Sequence, residues 1–467
     1  MHRFRPYLLA PAALSLLLTG CLKGPNYRRP AVDVPKTYYG PGTAADAGKL
    51  ESLGNVQWFQ VFQDAELQTL IRTALETNFD LRIAATRVEQ ARQAVVIARS
   101  GQFPTVAGGI LLSGVRTPAS GDTYTSYTIP EVGFTASWTI DFWGRYRRLT
   151  EAARAQLMGT EWARRAVVAD LVSGLAEAYL SLRTLDRQLA ISQRTLASRQ
   201  DSLRLIQTLV KGGAAPLSDQ RQAEQLVEAA SAAIPDLERR IGQQENFINS
   251  LLGRNPGAPI ARGKEISENQ VPEAPPAGLP SELLERRPAL GEAEQALVAA
   301  NARIGAAKAA FFPSVELTGI GGLASMSLTT LFRGASRSWT YAGSVMEPIF
   351  TKGRLTAELR LTEAQRDEML LRYQQTIQRG FREVSDALIA YDKMRQFRGH
   401  EEKLFVAASD AAALARMRYR GGAASYLEVL TNETNAYTAE IGLSVALLNE
   451  RLAVVELYNA LGGGWTK

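Results

Sequence analysis

The chain is written twice. Six landmarks recur at one offset of 209 residues: Leu81 with Leu290, Phe103-Pro104 with Phe312-Pro313, Gly144-Arg145 with Gly353-Arg354, Ala155-Gln156 with Ala364-Gln365, Gly212-Gly213-Ala214-Ala215 with Gly421-Gly422-Ala423-Ala424, and Leu252-Gly253 with Leu461-Gly462. One such match is chance, but a single register held over six is duplication. Whatever the first copy folds into, the second must repeat. The 467 residues divide into a signal peptide (1–20), an N-terminal segment (21–62), a first repeat (63–253), a Pro- and Gly-rich linker (254–280) and a second repeat (281–464).

Each copy has the same grammar. A helix (about Leu81 to Gly101, and Ala289 to Ala310) is stopped by Phe-Pro. Two extended runs follow. From Glu131 to Phe142 the alternation is unbroken, with Val132, Phe134, Ala136, Trp138, Ile140 and Phe142 on one face. A period of two with aromatics on the apolar side is what a lipid-facing barrel strand needs. Its partner is expected at Thr105 to Val115, across a polar loop from Arg116 to Tyr127; the second copy offers Val315 to Leu323 and Trp339 to Phe350.

A very long helix comes next, about Arg145 to Lys211 and Arg354 to Arg420, without proline in either copy. At 1.5 Å per residue it extends roughly 100 Å. Val168, Leu175, Leu182, Leu189, Leu196, Leu203 and Val210 recur every seven residues, and Leu171, Ala178, Leu185 and Ile206 sit three further on, which makes a coiled-coil seam. The second copy softens that seam with Arg398 and Ala412. A Gly-Gly turn leads to a return helix, about Pro216 to Leu252 and Ser425 to Leu461.

The N-terminus is an address label. Arg3 and Arg5 precede a short apolar stretch, Tyr7 to Leu18, and the segment closes in Leu18-Thr19-Gly20-Cys21. This is the pattern of a bacterial lipoprotein signal, in which Cys21 is acylated and becomes the new N-terminus. It is the one cysteine of the chain, and a thioether to lipid removes an otherwise unpaired thiol. Leu22 follows, not an aspartate, so the outer membrane is the expected destination. One Cys and two His exclude an internal disulfide, a Cys/His zinc site and a Cys–His nucleophile, and no cofactor beyond the acyl chains on Cys21 is expected. The net charge of +6 comes without a basic run, which argues against nucleic acid. After the signal no stretch of about 18 apolar residues occurs, so anything crossing a membrane does so as barrel strands.

Two repeats supply two hairpins, hence four membrane strands, too few to close a barrel. Open edges in lipid cost several kcal/mol per unpaired amide. Identical neighbours must complete the ring; strand arithmetic alone allows two, three or four copies. The expected class is mainly α with a membrane β-barrel, an internally duplicated chain of four strands and long antiparallel helical hairpins.

The lipobox, Phe103-Pro104, Asp141-Phe142-Trp143-Gly144-Arg145, Pro348-Ile349-Phe350 before Gly353-Arg354, and the closing Ala460-Leu461-Gly462-Gly463-Gly464-Trp465 together resemble the outer-membrane efflux factors of the TolC class, most closely the acylated OprM/NodT branch. The resemblance covers essentially the whole mature chain. It implies a homotrimer with a twelve-stranded β-barrel, an α-barrel and an equatorial α/β belt. It also implies two protein partners, a periplasmic adaptor and an inner-membrane proton-driven transporter of the resistance–nodulation–division type. On the same resemblance the helix turns form the periplasmic tips, where Lys211, Gly212, Gly213, Asp219, Arg420, Gly421, Gly422 and Glu428 meet the adaptor. The gate falls at the start of the last helix, with Tyr426 and Leu427 constricting; Thr431 stands where relatives place an aspartate, and Glu428 or Glu433 takes over its ring.

The implied role is passive conduction of drugs or other toxic small molecules from periplasm to exterior, without catalysis. Type I protein secretion and metal export use the same fold; seven scattered Met argue weakly against metal. A lipid-anchored coiled-coil scaffold without a pore is the reading from another class. The alternating strands speak against it, because a scaffold needs no six-residue apolar strand face.

Overall fold

The computed structural model describes residues 22–40, 52–119, 121–263, 265–266, 278 and 280–465; the signal peptide, Cys21 and residues 267–277 of the linker lie outside them. The element order is α1 (Trp58–Val61), α2 (Ala65–Thr77), α3 (Phe79–Ser100), β1 (Thr105–Pro118), β2 (Tyr124–Ile140), α4 (Arg145–Lys211), α5 (Leu217–Leu251), α6 (Pro280–Arg286), α7 (Pro288–Ala309), β3 (Ser314–Ala324), β4 (Arg337–Met346), α8 (Arg354–Arg420) and α9 (Tyr426–Ala460). Three pairs of helices repeat with equal length. α3 and α7 have 22 residues, α4 and α8 have 67, and α5 and α9 have 35.

The chain forms two compact units: Arg87–Glu161 and Glu292–Gln374 with the residues up to Ala31, and Val32–Thr86, Trp162–Gly291 and the chain from Gln375. The first holds one antiparallel sheet in the order β1-β2-β3-β4, so the two copies are joined through β2 and β3. Around the β2–β3 crossing, register sorts apolar from polar side chains. Ile110 opposes Val132, Phe134 opposes Gly321, Trp138 opposes Leu317 and Val315 opposes Val345, all on one side. The other side pairs Thr105 with Ser137, Thr139 with Glu316 and Thr318 with Ala342. On the apolar side Ile110, Phe134, Tyr341 and Trp339 are 67–81% exposed in the protomer, with Trp339 and Tyr341 stacked at 5.8 Å. At the β2–β3 crossing a Cβ on Gly133 would stand 2.6 Å from the Gly321 carbonyl oxygen, so the copies approach backbone to backbone.

Three expectations need correction. The segment from Arg116 to Tyr127 is largely ladder: Arg116 pairs with Ser126 and Thr117 with Thr125, leaving a short turn beyond Pro118. Thr and Tyr tolerate a strand edge well, so polar composition there marked solvent exposure, not a loop. β4 ends at Met346 rather than Phe350, because Pro348 cannot donate to a ladder. The mixed belt has no strand among the described residues, where every strand belongs to the one sheet; segments 65–77 and 280–286 are helices, α2 being capped by Asp64, whose carboxylate accepts from the Glu66 and Leu67 amides.

The second unit is built on the helical seam. Leu171, Leu175, Ala178, Leu182, Leu185 and Ile206 of α4 are all under 9% exposed, while Leu189, Leu196, Leu203 and Val210 are half-buried. The two heptad positions between Leu185 and Ile206 are Ser192 and Arg199, and both are buried. The seam is thus interrupted by polar side chains a few turns before the tip.

Candidate functional site

Both helical hairpins turn by the same device. Gly213 (φ +71°) and Gly422 (φ +69°) take the left-handed conformation, while the preceding Gly212 and Gly421 do not. The Gly213 amide donates to the Val210 carbonyl and the Ala214 amide to that of Leu209, at 3.0 and 2.8 Å; Gly422 and Ala423 repeat this on Tyr419 and Arg418 at the same distances. This pair of bonds satisfies carbonyls that the helix end would orphan. Lys211 and Arg420, at the last helical residue of each long arm, are exposed. Asp219 and Glu428 stand in the first turn of the return helices, where the helix dipole favours acids.

The two tips pack on each other through a cluster of Ile206, Ala223, Ala415, Tyr426 and Val429, flanked by Leu203, Leu209, Val210, Tyr419 and Leu430. Tyr426 is 4% exposed, and burial, with Glu433 beside it, pushes its phenol up to about 12. Its neighbour Leu427 is 55% exposed. Consecutive helical residues point about 100° apart, so these two face different ways, one into the core cluster and one outward. The exposed face starting at Leu427 continues through Thr431, Thr434, Asn435 and Thr438. That stripe carries hydroxyls and an amide.

The acids lie off it. Glu428 accepts from Arg418 at 2.8 Å, and Glu433, 6% exposed, accepts from Arg416 at 2.5 Å. Glu433 is therefore a buried, paired carboxylate inside the second hairpin, not a free member of a ring. Sequence reasoning missed what surrounds it. A cavity of about 240 Å³ is lined by Arg194, Arg199, Arg416, Glu433, Tyr437 and Glu440, among others. There Ser192 Oγ and the Tyr437 hydroxyl are bonded at 3.0 Å, Arg194 pairs with Glu440, and Arg199 lies over the Tyr437 ring at 5.3 Å. Arg199 donates to the Leu226 carbonyl at 2.9 Å, and desolvation holds its guanidinium below its usual range. The signal was legible: Ser192 and Arg199 fill the two seam positions where an apolar residue is missing.

In the sheet unit, Asp141 N-caps α4, accepting from the Tyr146 and Arg147 amides at 3.1 and 2.9 Å, so strand β2 feeds the long helix through a fixed corner at Gly144 (φ +79°). The Trp143 indole donates to the Pro313 carbonyl at 2.7 Å and its ring stacks on Phe312 at 4.8 Å. The corners of both copies are tied where the strands begin. No group of three or more His, Cys, Asp or Glu with metal-binding geometry occurs among the described residues.

A family model described as outer membrane efflux protein matches the chain twice, over residues 70–254 and 279–463. The cation efflux system protein CusC of Escherichia coli is 34% identical over 98% of this chain and 99% of its own length. The toluene efflux pump outer membrane protein TtgC of Pseudomonas putida is 36% identical over 98% and 96%. Among solved structures, the open state of the Neisseria gonorrhoeae MtrE outer membrane channel superposes with a TM-score of 0.86 at 31% identity, covering 96% of this chain and 99% of that one.

Proposed function

The chain belongs to the outer membrane efflux protein family, and on that premise we propose how it operates. It is an outer-membrane efflux channel component that extends into the periplasm. Three copies close twelve strands, each contributing the free edges of β1 and β4 to its neighbours. The observation that carries this is the one-sided sheet: four paired strands, apolar on one face and Thr-, Ser- and Glu-bearing on the other, with two edges that lipid would leave unsatisfied. The polar face lines the pore, and Cys21 carries the lipid anchor.

The channel is passive, without cofactor or catalysis, and works with a periplasmic adaptor and an inner-membrane transporter. The adaptor grips the tips at Lys211, Gly212, Gly213, Asp219, Arg420, Gly421 and Gly422. Leu427, with Thr431 one turn on, forms the constriction, while Tyr426, Glu428 and Glu433 hold the start of α9 behind it through the core cluster and the Arg418 and Arg416 pairs. A hydroxyl stripe makes the gate less cation-selective than a carboxylate ring would. Cargo is a range of toxic small molecules; the relatives named for toluene and for cations are almost equally similar.

The test is mass and conductance together. Detergent-solubilised protein is expected at three times the protomer mass, converting to monomer only on heating, and to form channels in planar bilayers. A solitary, non-conducting protein would refute the pore. Deleting the gene in a strain without a redundant homologue should raise sensitivity to several unrelated inhibitors.

A further inference from the structure

The ten residues that follow Cys21 are held far more tightly than a lipoprotein tether requires. Arg148, only 2% exposed, donates to the carbonyls of Lys23 and Gly24 at 3.1 and 3.2 Å and to the Asn26 side chain at 2.9 Å. Asn301 donates to the Pro25 carbonyl at 2.9 Å, and Glu294 accepts from Tyr27 at 3.1 Å and from Arg29 at 2.8 Å. Gly24 and Gly305 meet backbone to backbone, since a Cβ on Gly24 would lie 2.3 Å from the Gly305 Cα. At its near end the Lys23 amide donates to the Trp143 carbonyl at 3.1 Å, the Lys23 ammonium sits 4.5 Å from the Phe312 ring, and Leu22 packs on Gly144. Gly144 is four residues past Ile140, the last apolar position of β2.

The first copy has no such cradle. The residues 209 positions before Glu294, Asn301 and Gly305 are Ala85, Arg92 and Val96, and Val96 is 58% exposed. Arg148 likewise has Ala357 as its counterpart. The grip is specific to one helix of each copy, not a by-product of the repeated fold.

We propose that residues 22–31 are a positioning strap that fixes the acyl chains of Cys21 against the foot of the sheet's apolar face. This rests on the reading that Cys21 is acylated. One peptide unit spans about 3.8 Å between Cα atoms, so a docked Leu22 leaves Cys21 no freedom to roam. The contact between acyl chain and strand becomes intramolecular, at high effective concentration. The lipid is then part of the barrel's outer wall, seated beside Ile140 and Val315, rather than a leash in the leaflet.

The experiment uses the full-length protein in its own membrane, labelled metabolically with a photoactivatable fatty acid. The wild type is expected to give crosslinks concentrated in the peptides around 136–146 and 312–318. A ten-residue Gly-Ser insertion between Leu22 and Lys23 should leave fatty-acid incorporation unchanged and reduce those crosslinks at least fivefold; Gly305→Val, which installs the first copy's residue, should do the same by displacing the strap. Crosslinks equally strong after the insertion, or scattered over the sheet in the wild type, would overturn the proposal while leaving acylation intact. A Cys21 peptide carrying no fatty acid would overturn the acylation reading itself.

Discussion

The two helical hairpins have the same lengths and the same turns, yet they are held together differently. In the first, Leu189 and Ile241 occupy the positions that Arg398 and Glu450 take in the second. Leu209 and Gln207 likewise stand where the second copy has Arg418 and Arg416. In the first, the direct ion pairs between its own residues lie within single helices, as Arg204 with Asp201, Arg221 with Glu224 and Arg239 with Asp236, while Arg262 beyond its end bridges Asp186 of α4 and Glu245 of α5. The second has pairs within α8 too, such as Arg372 with Glu368, and adds direct pairs between its arms: Arg398 with Glu450 at 2.9 Å, Arg416 with Glu433 and Arg418 with Glu428. An apolar seam is non-directional and tolerates little exposure, whereas paired charges hold one geometry and can be hydrated when they part. The first hairpin is joined chiefly by its apolar seam, the second also by charge pairs between its arms.

The comparison can be broken most severely at Glu450, which is 7% exposed and touches both Arg398 and Arg451. Glu450→Ala removes the buried carboxylate between the Arg398 and Arg451 guanidiniums and should cost about 3–5 kcal/mol, read as a fall in the denaturation midpoint of the solubilised protein. An Ile241→Ala change at the matching half-buried site should cost less, about 1–3 kcal/mol. If the two are equal, the contrast between the hairpins is cosmetic.

Next is the gate. Glu433→Gln removes the buried charge that Arg416 holds and should raise bilayer conductance and admit large antibiotics, with a stability loss of about 1–3 kcal/mol. Its counterpart Glu224 is bonded only to Gln220 and Arg221 on its own helix, and Glu224→Gln should change neither conductance nor inhibitor sensitivity. The tips should then behave alike. Gly213→Ala and Gly422→Ala each place a side chain in the left-handed region and should cost about 1–2 kcal/mol, equally, by thermal unfolding.

The smallest effect concerns pH and the strap, whose contacts with α7 have no counterpart on α3. The Arg29 guanidinium, bonded to Glu294, holds that carboxyl below its usual range against the opposing effect of burial. A depressed carboxyl gives stability that is complete above the ordinary glutamate range and lost as pH falls through the lowered value. Limited proteolysis near residues 22–31 should therefore increase as pH drops below about 4, and Glu294→Gln should flatten that dependence. An arm equally resistant at every pH would remove Glu294 from its hold.

Much of this was legible before any coordinates. The period of two from Glu131 to Phe142 and the heptads of α4 are direct consequences of which faces must be covered, so they mark strands and a long helix wherever they occur. The pattern misled where local composition and tertiary pairing disagree. Arg116 to Tyr127 reads as loop but is largely ladder, because backbone pairing between β1 and β2 does not require apolar side chains. The family resemblance put Tyr426 and Leu427 together at the start of the last helix, and only packing told them apart, one buried and one exposed. Ser192 and Arg199 were visible as gaps in the seam, but nothing local said that Tyr437 and Glu440 would face them.

Duplication, the number of strands and the length of the helices were written in the one-dimensional pattern, since periodicity records the burial of faces along each element. Which side chains meet across elements was decided by tertiary structure alone: Arg416 with Glu433, Ser192 with Tyr437, Arg148 with the carbonyls after Cys21. Such pairs join residues from 17 to 245 positions apart, and their geometry depends on register between helices. The repeat set two arms of equal length, and packing between elements made their contacts differ.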